Sequence, residues 1–294
     1  MRLTPWTLFL ALLLSAAVLR AECVNDHRSN KNAGILITDF TITGTRTIGA
    51  TGLADITSDL IGSCFDDNTE ELEERIRASF QNRGYFAAKV KSLGLKPRDQ
   101  LGVPKPVTLE AEVSDGLQYK LAEITFVENH AFSSERLRQE FPLRRGDLFS
   151  RGKVASGLQS LRKLYFTQGF LDWSAIPDTN IASNGTANLN ISIQEGPQYH
   201  MGKLDIVPDK EVSARLRPGW KLAEGDVYDH TYIDQYLDAN RDLLPAGFSR
   251  ASVHIIQNCP DKVVEVRLII DTAEDTSHAE AKNVPCKEHH DAPK

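Results

Sequence analysis

Beyond its first residues the chain has no stretch approaching eighteen apolar residues, so the expectation is a mature protein without a spanning helix. Positive charge is not in excess either. The 34 Lys and Arg stand against 40 Asp and Glu, a net charge of -6, which argues against general nucleic-acid binding. Trp173, Trp220 and the scattered tyrosines lack the basic interleaving of a base-stacking surface. Also missing are a Gly-x-Ser-x-Gly elbow, an HExxH helix, a Walker loop and a Rossmann fingerprint. Asp66-Asp67, Glu70-Glu71 and Glu73-Glu74 crowd a helix start, where negative charge complements the helix dipole, and are not read as acid-base pairs. What the chain does have, 41% hydrophobic and 25% charged residues over 294 positions, is the balance of folded protein in two or three domains.

The N-terminus runs charged, apolar, cleavable: Arg2, then Trp6 to Leu14, then Ser15, Ala16, Ala17 and Ala21. That order marks a secretory signal peptide over residues 1–21, followed by a lead over 22–33. Its removal would leave 32 basic and 40 acidic side chains, a net charge of -8. Export allows disulfides. Cys23, Cys64, Cys259 and Cys286 permit three complete pairings, of which sequence proximity favours Cys23 with Cys64 and Cys259 with Cys286. Their spacing resembles no zinc ribbon or CxxC motif, and His278, Cys286, His289 and His290 sit in a polar tail over 273–294. Neither a metal nor a cofactor is expected.

Three markers recur in one order at intervals of about eighty residues. Asp115-Gly116-Leu-Gln-Tyr119 is echoed by Glu195-Gly196-Pro-Gln-Tyr199. Arg145-Gly146-Asp147-Leu148-Phe149 finds its counterpart in Glu224-Gly225-Asp226-Val227-Tyr228. Gly84-Tyr85, Gly169-Phe170 and Gly247-Phe248 each close a helical pattern. The helices are predicted from Leu72, Ile76 and Phe80, from Val154, Leu158, Leu161 and Tyr165, and from Tyr232, Tyr236 and Leu243. Asp67 or Asn68, Ser150 and Asp229 stand at the N-cap positions.

Each copy ends on alternating apolar residues: Val107 to Val113, Ala187 to Ile193, and Val264 to Ile270. Period two with one polar face means a sheet covered on one side. Asn184-Gly185 marks a tight turn before the second of these strands. The sequons at Asn184 and Asn190 are read as structural matches. The fold class is therefore α+β, three tandem units over 34–117, 118–196 and 197–272. Each is a three-stranded sheet backed by two helices in the order strand, helix, helix, strand, strand.

At these residues the chain resembles the polypeptide-transport-associated (POTRA) repeats that precede the barrel of outer-membrane assembly factors and two-partner secretion transporters. The likeness is closest in the second unit: Ile124-Thr-Phe126, Asn129, Phe132-Ser133, Leu137, the run Leu143 to Ser150, Leu161, Tyr165 and Gly169-Phe170. Members of that family usually continue into a barrel of eight or more strands of about ten residues each. Only Ala273 to Lys294 follow the third unit here, so the expectation is a string without the barrel, and pore or insertase activity is not carried over.

What the resemblance implies is a non-enzymatic module that docks unfolded outer-membrane precursors or a barrel partner during assembly or secretion. It would be periplasmic, and associated with the outer membrane through its partner. The alternative is a passive spacer or adaptor in the envelope. The strand after the Gly-aromatic pair serves for docking in the family, which maps to 86–93, 171–175 and 249–257 here. An open sheet edge can pair with an extended peptide through its backbone. The candidate edge residues are Lys89, Val90, Lys91, Ala251, Val253 and Ile255, with Lys89 and Lys91 also suited to guarding an edge against promiscuous pairing.

Overall fold

A computed structural model describes residues 35–65, 68–98, 105–208, 210–245, 248 and 252–270. They form an α+β fold of three small sheets, each with helices packed on one face. The signal peptide, the lead, the tail, Cys23, Cys286, Gly247, Ala251 and the histidines at 278, 289 and 290 lie outside the described residues. No described helix is long and apolar enough to cross a membrane.

The first sheet contains β1 (Ile35–Thr43), β2 (Cys64–Phe65), β3 (Lys89–Pro97) and β4 (Lys105–Ser114), in the order β2-β1-β4-β3. Helix α1 (Ala50–Leu60) follows β1, and α2 (Thr69–Asn82) follows β2. The second sheet is β5 (Lys120–Val127), β7 (Thr186–Gln194) and β6 (Ser174–Ile181), with α3 (Ser134–Arg138) and α4 (Arg151–Phe166) between β5 and β6. The third is β8 (His200–Pro208), β10 (Val263–Ile270) and β9 (Val253–Asn258), with α5 (Lys210–Leu216) and α6 (Tyr232–Ala239). Each unit's last strand lies in the middle. It runs parallel to the first strand and antiparallel to the one before it. A parallel pair needs a long crossover and an antiparallel pair a tight turn. The chain supplies the helices for the first and Asn184-Gly185 for the second, with Gly185 at φ +80.

Alternation puts Val107, Leu109, Ala111 and Val113 inside, and likewise the odd residues Ala187 to Ile193 and the even ones Val264 to Ile270. The first strands behave differently. Ile37 and Phe40 are both buried, as are Leu121 and Ile124, three positions apart. A register shift falls between Ile37 and Asp39, between Leu121 and Glu123, and opposite Val264 and Val266. One extra residue at each point restores the inward phase, so the short alternation read in the sequence is bulged in all three units.

Helix starts follow the capping residues in two units. Asn68 Oδ1 accepts the amides of Glu70 and Glu71, and Ser150 caps α4 by accepting from Lys153. The third differs from expectation. Asp229 takes the amide and hydroxyl of Thr231, tightening a turn before the helix, and α6 begins at Tyr232. It ends at Ala239, short of Leu243, where Asn240 at φ -116, ψ 19 leaves the helical region. A 3-10 turn over Arg241–Leu243 follows and stops at Leu244, extended at φ -87, ψ 142 before Pro245.

The described chain divides into two compact units, one reaching Phe80 and including Ala88–Gly116, the other Gln81–Ala87 and the residues from Leu117 onward. Residues 81–87 therefore leave the stretch 34–117 that the repeat delimits. Phe86 and Ala87 pack onto the second repeat's core, and Phe86 lies 4.5 Å from Phe149 ring to ring. Within the second compact unit the same step recurs, with Leu171 packed on the third repeat's core. Hence the expected docking strands start later than 86 and 171: the residues after each Gly-aromatic pair turn inward before β3 and β6 begin.

Candidate functional site

The strand after the second helix is an edge in every sheet. Among the described residues β3 pairs with β4, β6 with β7 and β9 with β10 alone. Lys89, Val90 and Lys91 lie on β3, and Val253 and Ile255 on β9.

Which backbone groups face outward follows from the ladder. The His200 amide bonds the Lys262 carbonyl at 2.9 Å. Because backbone groups alternate sides along a strand, Val264, Val266 and Leu268 turn theirs to β8, and Val263, Glu265 and Arg267 turn theirs to β9. Asn258, Ile256 and His254 are thereby engaged, while Val253, Ile255 and Gln257 aim their amides and carbonyls away from the sheet. On β6 the Ala182 amide bonds the Thr186 carbonyl at 2.8 Å. The same alternation leaves Ala175, Pro177, Thr179 and Ile181 facing out, and Pro177 has no amide hydrogen. On β3 the Arg98 amide bonds the Pro106 carbonyl at 3.1 Å, so Leu93 and Leu95 face out. A bulge between Val90 and Ser92 breaks the phase, and Lys91 and Lys96 reach across to Glu112 and Glu110.

The acid of each Asp/Glu-Gly marker holds the loop after the unit's first strand. Asp115, 2% exposed, accepts the amides of Arg46, Thr47 and Ile48 and the Thr47 hydroxyl. Burial pushes its pKa up, but the bonds from Ile48, Thr47 and Arg46 outweigh burial and bring it down to about 2. Glu195 accepts the amides of His130 and Ala131 and the Tyr165 hydroxyl, each at 2.9 Å. Burial and the Glu195 carboxylate raise the Tyr165 phenol well above its ordinary value.

Glycine markers clip the first strands. The amides of Gly146 and Gly225 bond the carbonyls of Leu121 and Met201 at 2.8 and 2.7 Å. Gly62 does the same to Ile37 at 2.8 Å, and Phe65, Phe149 and Tyr228 follow as buried rings. Gly62-Ser63-Cys64-Phe65 is thus a third copy of a marker for which the sequence showed two. Its signal was a glycine three residues before an aromatic ring, obscured by Ser63 and Cys64 where the others carry aspartate and an aliphatic residue. Cys64 and Cys259 are both disulfide-bonded. Among the described residues no cluster is placed to hold a metal ion.

Residues 119–196 match the POTRA family model, described as surface antigen variable number repeat. A putative outer membrane protein assembly factor of Treponema pallidum (strain Nichols) is 24% identical over 188 residues, covering 63% of this chain and 22% of its own. The outer membrane protein assembly factor BamA of Neisseria meningitidis serogroup B (strain ATCC BAA-335 / MC58) is 23% identical over 182 residues, 56% of this chain and 23% of that protein. The chain thus spans under a quarter of these relatives' length. The crystal structure of Haemophilus influenzae BamA POTRA3-5 superposes with a TM-score of 0.59 at 18% identity, over 81% of this chain and 96% of that one. The fold is that of POTRA-type units, residues 119–196 match the POTRA family model, and the chain is similar in sequence to part of these assembly factors.

Proposed function

We propose that this chain of POTRA-type units is a non-enzymatic periplasmic module that docks unfolded outer-membrane precursors or a barrel partner by edge-strand pairing during outer-membrane assembly or secretion. The observation that carries this reading is the sheet order: every unit leaves the strand after its second helix at an edge. Amides and carbonyls there that no described strand engages can accept an extended chain with little demand on its sequence. Similarity to the assembly factors named above supports the setting.

The test is direct. A urea-denatured outer-membrane barrel precursor, diluted into the purified mature chain, is expected to bind saturably by fluorescence anisotropy and to be displaced by an extended competitor peptide. Absence of binding would sink the reading. It would favour the passive spacer, which the clip between the second and third repeats supports: Tyr199 donates its amide to Gly169 O and its hydroxyl to Asp172, and Gln198 donates to Gln168 O.

A further inference from the structure

The edges of the second and third repeats differ in their capacity to accept a strand. β6 carries Pro177 midway along its length, on an outward-facing position of the ladder. A ring there costs the sheet nothing, because the missing amide hydrogen belonged to no internal bond. It costs an incoming strand a donor at the centre of the edge and places a ring where the partner backbone must approach. The side chains that β6 turns to the helix layer are small or polar: Ala175, Pro177 and Thr179 precede Ile181.

β9 is the opposite case. Its six residues pair with β10 without a register shift, and Val253, Ile255 and Gln257 present three donors and three acceptors in one phase. Val253 and Ile255 are half-buried against the third core, and Leu237, Leu244 and Phe248 pack on that core in the same half-covered way. Leu237, Leu244 and Phe248 also line a hollow of about 400 Å³ with Asp234, Asp238, Arg241 and Pro245. A strand added beside β9 turns alternate side chains to the same face as Val253 and Ile255. Apolar side chains on that face extend the core layer, whereas polar ones there would be desolvated without partners. β3 is intermediate, with two outward positions in phase, a bulge, and Pro97 at its end.

From this contrast, and resting on the strand-docking reading above, we infer that the chain receives its client at β9. The client segment is an extended strand with apolar residues at every second position, and Pro177 closes β6 to the same segment.

The test uses the mature chain labelled with ¹⁵N and a fluorescent synthetic peptide of about ten residues, a strand's length, alternating valine and threonine between terminal lysines. A second peptide has the same composition with its valines in one block. The alternating peptide is expected to slow amide exchange at Val253, Ile255 and Gln257 by about tenfold or more and to leave Ala175, Thr179 and Ile181 unchanged. The blocked peptide is expected to bind about tenfold more weakly, with its valines forced onto both faces. P177T is expected to raise the stoichiometry from one peptide to two. Protection on β6 or β3 in place of β9, equal binding of the two peptides, or a P177T stoichiometry of one would overturn this assignment and leave strand docking standing. No binding of either peptide at any edge would overturn both. All these readouts except the stoichiometry are made on the unsubstituted chain, so they do not depend on a variant folding.

Discussion

Tyr199 donates its amide hydrogen to the carbonyl of Gly169 at 2.9 Å, and its own carbonyl oxygen lies 2.4 Å from where a Cβ on Gly169 would stand. With φ at +76, Gly169 meets both demands of the joint at once: a left-handed backbone and room for the next repeat's first residues. Gly84 and Tyr119 repeat the bond at 2.8 Å.

Gly169→Ala is therefore expected to cost more than Gly146→Ala. Both positions have positive φ, +76 and +89, but nothing lies within 4 Å of a Cβ at Gly146. The open position should lose only the left-handed strain, about 1–2 kcal/mol. Gly169→Ala adds steric overlap to that strain. Urea unfolding of the two variants checks the order, and equal losses would remove the argument from close approach.

Gly157→Ala separates packing from propensity. Alanine in the middle of α4 would stabilise the helix by about 1 kcal/mol on intrinsic preference. A Cβ there would fall 2.2 Å from Phe141 Cδ1, a ring buried in the second core. Overpacking of this kind costs about 1–3 kcal/mol, so the thermal midpoint is expected to fall. A rise would show that the Phe141 ring relaxes freely.

Asp115 should make the first unit acid-sensitive. Its folded pKa of about 2 lies below the ordinary 3.8, so its contribution is fully present above about pH 4 and is lost as pH falls through 2. A shift of this size is worth about 2 kcal/mol. Asp115→Asn should be less stable by about that amount at pH 7 and indistinguishable from the parent near pH 2. A pH-independent difference in denaturant midpoint would contradict the titration.

The disulfides can be mapped without any substitution. Cys64 and Cys259 are bonded, so neither should react with a thiol reagent before reduction. Non-reducing peptide mapping is expected to recover Cys64 joined to Cys23 and Cys259 joined to Cys286. A peptide joining Cys64 to Cys259 would overturn that pairing.

Much of the architecture is legible in the sequence itself. The alternations ending at Val113, Ile193 and Ile270 mark strands buried on one side, since period-two burial needs no partner to be recognised. Leu72, Ile76 and Phe80 likewise announce the buried face of α2. That the strand carrying Val253 and Ile255 lies at an edge is what the family resemblance implies; the order of elements alone allows either of the last two strands in the middle, and the sheet places β10 there.

Other features rest on pairings across long sequence separations. Asp115 meets Arg46, Thr47 and Ile48 from nearly seventy residues away, and nothing in Asp-Gly distinguishes that anchor from a turn. Phe86 reads as part of the first repeat yet packs in the second core. Pro177 is harmless or obstructive according to a single step of register against β7. A local pattern tells which face of a strand is apolar, but the direction in which its backbone groups point depends on which residue of the neighbouring strand stands opposite. That correspondence exists only once the sheet has formed.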